Sequence, residues 1–136
     1  MNLVYPVFLF LVVLTTLSCS SGNEKSRELI EANRLHLEAM KISEHLEQKL
    51  DSLAPLAKDD LEKSRIDSLK DLIEVWEENV IEVPGFTHAH DHAHGAHEHK
   101  TAPSMTDASM LDYQRQSKEA ILELQQAITA LDNPRK

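Results

Sequence analysis

Six histidines fall within twelve residues, in the stretch His88-Ala89-His90-Asp91-His92-Ala93-His94-Gly95-Ala96-His97-Glu98-His99. Imidazole is the commonest protein ligand for zinc, copper and nickel, and near pH 7 it is mostly neutral and free to ligate. Asp91 and Glu98 add two oxygen donors inside the same window. In an extended chain His88, His90, His92 and His94 share one face, because side chains repeat every second residue. In a helical turn His88 pairs with His92, and His90 with His94, at i, i+4. Gly95 and Ala96 let the chain fold His97 and His99 back. The spacing predicts binding of a divalent transition metal without selecting one geometry or one metal.

This pattern differs from sites that hold a metal rigidly. A zinc-protease helix or a zinc finger fixes its ligands at set offsets on ordered elements, and no such offsets occur here. Histidine-rich tracts form a compositional class whose usual chemistry is metal binding, with a solvated spacer as the alternative. Six imidazoles on a flexible tract suit fast, low-selectivity exchange better than a structural site.

The elements that must position this tract are helical. Ala32, Leu35, Ala39, Ile42, Leu46, Leu50 and Leu53 step by three or four, the seam of a coiled-coil-like helix beginning near Arg27 and ended by Pro55. Leu29, Ile30, Leu37 and Met40 widen the seam, enough for two neighbours. His36 and His45, nine residues apart, read as surface residues. A second helix starts near Lys58-Asp59-Asp60, where acids suit the positive end of the helix dipole. Its seam is Ile66, Leu69, Ile73, Trp76, Val80 and Val83, with Asp67, Asp71, Glu74, Glu78 and Glu82 on the opposite face and Pro84-Gly85 as its stop. Glu77, Glu78 and Glu82 crowd the end where the dipole disfavours anions, and no Lys or Arg lies between Lys70 and Lys100. A cation bound nearby would relieve that repulsion. Ser104-x-x-Asp107 predicts the cap of a third helix, with seam Met110, Gln114, Ser117, Ile121, Leu124, Ile128 and Leu131, running to about Asp132. Gln114 and Ser117 soften its start, so looser packing is expected beside the histidines.

The expected fold is all-α, a three-helix antiparallel bundle over residues 27–133 with a long His-rich loop, 84–104, between helices two and three. A helical hairpin whose third helix is exchanged into a homo-oligomer is the rival arrangement. In the up-down-up form the histidine loop lies at the same end as the chain's N-terminal tether.

Leu3 to Leu17 is an uncharged, mostly apolar run, short for a bilayer span and matched to the core of a secretory signal. It leads into Ser18-Cys19-Ser20-Ser21-Gly22. Thr16-Leu17-Ser18-Cys19 resembles the lipobox of bacterial lipoproteins, departing from it at Thr16, where Leu is usual, and in an n-region without Lys or Arg. The resemblance covers the first 19 residues. It implies a signal peptide over 1–18, lipidation at Cys19, a tether over 19–26 and a membrane anchor in the cell envelope. Ser20 leans towards the outer rather than the inner membrane. Beyond the leader, the chain resembles small Gram-negative envelope lipoproteins with a His-rich loop between helices.

Composition narrows the partners. A formal charge of −9 argues against nucleic acid and against adhesion to anionic lipid by charge. Aromatics are only 4%, so the core must be aliphatic, and one cysteine permits no intrachain disulfide. Two functions follow. One is an envelope protein that buffers, scavenges or hands over zinc, copper or nickel, with a metal transporter or another envelope protein as partner. The other is an anchored helical spacer or adaptor that binds an envelope protein through its helices. Catalysis is not expected, because no nucleophile–base pair, phosphate loop or rigid metal triad is present in the sequence.

Overall fold

The computed structural model of this chain describes residues 24–86 and 100–132. It is all-α, with helices α1 (Arg27–Leu53), α2 (Asp60–Asn79) and α3 (Asp107–Asp132), and a single 3-10 turn at Ala54–Leu56 between the first two. No described helix is long and apolar enough to cross a membrane.

Local chemistry sets most of the helix ends. Ser26 caps α1, its hydroxyl accepting the Leu29 N–H at 3.1 Å, with Glu28 in the first turn. Pro55 cannot continue a helix and enters the tight turn that follows. Asp59 caps α2 by accepting the Glu62 N–H at 2.7 Å, while the Glu62 carboxylate reaches back to the Lys58 N–H at 2.8 Å. The first bond satisfies a donor that the helix start leaves open, and the second ties down the residue before the cap. The third helix starts later than Ser104 suggests. Its cap is Thr106, whose hydroxyl accepts the Ser109 N–H at 3.1 Å.

All three helices touch one another, and the α1–α3 contact is the most extensive. Ser43 bonds Glu77 and Lys70 bonds Asp51, so α2 runs against α1. Lys118 bonds Glu38 while Ala32 packs with Met110, so α1 and α3 run in the same direction. The seams meet in two apolar clusters. The larger holds Ala39, Leu46, Leu50, Ile66, Ile73, Ile121 and Ile128, all buried, with Ile42, Leu69, Trp76 and Leu124 packed around them. Each of the buried Leu and Ile side chains contributes about 1.5–3 kcal/mol by leaving water. The smaller holds Ala32, Val83 and Met110. Met40 is buried and Leu29 half-buried, whereas Ile30 and Leu37 stay exposed, so α1 widens its seam on one flank only.

The second helix is shorter than its pattern implies. It stops at Asn79, and Val80 continues in extended backbone at φ −65 and ψ 136. Val80 and Val83 are still buried, but as an extended segment rather than a helical seam. The physical reason is local. Val80, Ile81 and Val83 are β-branched, Pro84 pushes the residue before it towards extended backbone, and Ile81 forms a parallel bridge with Lys100.

Candidate functional site

The predicted ligands His88, His90, Asp91, His92, His94, His97, Glu98 and His99 lie outside the described residues, as does Cys19, the predicted lipidation position. What the structure places are the two ends between which the histidines are strung. Val80 to Val83 leaves α2 in extended form, and the Glu82 N–H donates to the Lys100 carbonyl at 3.3 Å. Pro84-Gly85 does not stop a helix here but turns the chain. The Phe86 N–H donates to the Val83 carbonyl at 3.3 Å with Gly85 at φ +78, the Pro-then-Gly signature of a type II turn. Chain departure and chain return are therefore side by side.

Side chains from α3 hold this frame. The Gln114 amide donates to the Ile81 carbonyl at 2.6 Å, and the Tyr113 hydroxyl donates to the Asn79 carbonyl at 2.8 Å. Lys100 donates to the Asn79 side-chain oxygen at 2.6 Å. A helix that ends leaves carbonyls without internal donors; Tyr113 satisfies the one at Asn79, Gln114 satisfies the Ile81 carbonyl of the extended segment, and Lys100 sets a cation at the negative end of the dipole. Burial raises the Tyr113 phenol above its ordinary 10.0, with a backbone hydrogen bond from Ile81 opposing. Beneath the frame, Ile81, Val83 and Phe86 on one side of the histidines, and Ala102 and Met105 on the other, pack onto Ala32, Leu29 and Met110.

The start of α1 reaches the same place. The Lys25 ammonium sits 3.7 Å from the centre of the Phe86 ring, a cation–π contact. Lys25 lies six residues beyond Cys19 in the sequence, and the start of α1 and the frame share one end of the molecule.

Three sequence expectations are corrected here. His36 is not a surface residue, since it is fully buried on the α1 face that also carries Ser43. His45 is exposed, as expected, in a groove with Lys49, Gln125 and Thr129. The acidic end of α2 is not a continuous cluster. Glu77 is 3% exposed and accepts from the Ser43 hydroxyl at 2.6 Å inside the molecule, and Glu82 lies beyond the helix. Gln114 is no sign of loose packing either, because it is fully buried and bonded to the frame. Its polar character at a seam position was the available signal for that role. Among the described residues, no group of three or more His, Cys, Asp or Glu side chains converges on a metal-sized site.

Comparison of the chain with protein-family models, with curated proteins and with solved structures found no match.

Proposed function

We propose that the chain is an envelope lipoprotein, anchored through Cys19, that binds zinc, copper or nickel through His88, His90, His92, His94, His97 and His99, with Asp91 and Glu98 as auxiliary donors. Its role is to buffer, scavenge or hand over the metal. The observation that carries this reading is the density of imidazoles between Phe86 and Lys100. The paired flanks support it. Ordering a free chain around a metal costs roughly 1–2 kcal/mol per residue in backbone entropy. Flanks already held by Gln114, Tyr113 and the Ile81–Lys100 bridge lower the part of that cost due to closing the loop. On this reading the helices form a three-helix antiparallel bundle, coiled-coil-like, whose task is to present the histidines next to the membrane tether.

Calorimetric titration with each of the three metals tests it, using the full-length chain in mild detergent. Binding of about micromolar affinity is expected, roughly −8 kcal/mol. Protons compete for neutral imidazole, so affinity should fall steeply below about pH 6. Replacing the six histidines by Ala should abolish binding and leave helix content unchanged. Unaltered affinity in that variant would place the ligands elsewhere.

A further inference from the structure

We propose that the groove between α2 and α3 docks a cationic amphipathic helix of another protein. Among the described residues six large apolar side chains are exposed, and four of them, Leu56, Leu61, Leu72 and Val75, belong to α2 or the turn that leads into it. Leu61, Ser68, Leu72 and Val75 follow at intervals of seven, four and three, which places them on one face of the helix. This face is not the seam, whose residues Ile66 and Ile73 are buried on the other side.

The face borders an apolar groove whose walls are Ser68, Leu69 and Leu72 from α2 and Ala127, Ala130 and Leu131 from α3. A second hollow, lined by Leu61, Ala130 and Leu131, continues it towards the α1–α2 turn. The small residues Ser64, Ser68, Ala127 and Ala130 leave room for a backbone to approach. From Leu61 to Val75 the face runs about 21 Å, four turns of a partner helix.

Charge decides the occupant. Asp71 and Glu78 flank Val75 at i−4 and i+3, and on α3 Glu119 and Glu123 continue the line of Ala127 and Ala130 at intervals of four and three; all four carboxylates are exposed. The nearby lysines are turned the other way, towards α1. Lys70 is bonded to Asp51 and Lys118 to Glu38. Arg65, near the α1–α2 turn, is the one basic side chain among the groove's lining residues. The surface thus has an apolar floor between acidic banks. A helix with a Leu/Ala stripe flanked by Lys and Arg complements both features. A second copy of this chain does not, because it would bring the same banks and a further charge of −9.

The docking surface is independent of the histidines, so its test is separate from metal binding. The probes are two synthetic helical peptides of roughly 18 residues, about 27 Å long, with one Leu/Ala stripe and either Lys or Glu flanks. Binding to the full-length chain in nonionic detergent is read from Trp76, the single tryptophan. The Lys-flanked peptide should bind saturably, and the Glu-flanked one at least about tenfold more weakly. Leu72→Asp, at an exposed site, should remove binding with helix content intact, and Glu119→Lys combined with Glu123→Lys should reverse the preference. The proposal is overturned if the Lys-flanked peptide fails to bind, if both peptides bind equally, or if Leu72→Asp binds as wild type. A dimer seen by sedimentation that Leu72→Asp dissociates would assign the face to a second copy and overturn it too.

Discussion

The two ends of the molecule are built by different rules. Away from the start of α1, Leu46, Leu50, Ile66, Ile73, Ile121 and Ile128 meet helix on helix, where the backbone is satisfied mainly along each helix. At the end where α1 starts, α2 has stopped, and the Val80–Val83 segment takes its place beside α1 and α3. An extended segment brings carbonyls that nothing on its own strand can satisfy. Side chains of α3 therefore meet this backbone, Gln114 at the Ile81 carbonyl and Tyr113 at the Asn79 carbonyl where α2 ends. The far end is held by apolar packing, and the near end combines a smaller apolar cluster with hydrogen bonds to the Asn79 and Ile81 carbonyls.

The largest expected effect lies at the far end. Ile121→Ala should lower unfolding free energy by about 2–5 kcal/mol, because it opens a cavity where three helices meet. Glu123→Ala, on the exposed face of the same helix, should change it little. Urea denaturation followed by helix signal measures both, and equal losses would mean that α3 does not present Ile121 to the core.

A smaller and more local loss is expected at the near end. Gln114→Leu leaves the Ile81 carbonyl without its donor, at about 1–2 kcal/mol. The loss should be offset in part because the Gln114 side-chain oxygen is buried without a hydrogen-bond partner among the described residues. Amide exchange should rise at Glu82 and Phe86 while staying unchanged in the middle of α1. Uniform acceleration along the chain would show that the two ends unfold as one unit.

The smallest effects are with pH, and they separate the α1–α3 ion pair from the frame by sign. The Lys118 ammonium holds the Glu38 carboxyl below its ordinary 4.5, with Arg34 adding to it, and Arg34 does the same for Glu31. A depressed carboxyl gives stability above its unfolded value that is lost as pH falls through the folded one. These groups are solvent-exposed, so that loss should be slight and should shrink in salt. Tyr113 has the opposite sense. Its raised phenol favours the neutral form, so its contribution is complete below about pH 10 and lost above it. Acid should loosen α1 from α3, and alkali should loosen the frame. Exchange measured at both extremes checks the assignment.

Much of the fold is legible in the chain. The steps of three and four in Ala32–Leu53, Ile66–Ile73 and Met110–Leu131 identify the seams, because helical periodicity is a local property that needs no partner to be read. Ser26 and Asp59 follow equally local rules as caps. The histidine tract is legible as chemistry, since imidazole ligates wherever it is reachable. Other features were settled only when the helices came together. Whether Met40 or Leu37 would be covered depended on which flank of α1 met a neighbour. His36 carries no local sign of burial, and it is buried because α1 is covered on that flank. The end of α2 is the clearest case. Val80 and Val83 fit a helical seam and an extended strand equally well, as both bury apolar side chains. The Gln114 amide as donor and the Lys100 carbonyl as acceptor, 33 and 19 residues further along the chain than Ile81, favour the extended form, and only tertiary structure brings them there.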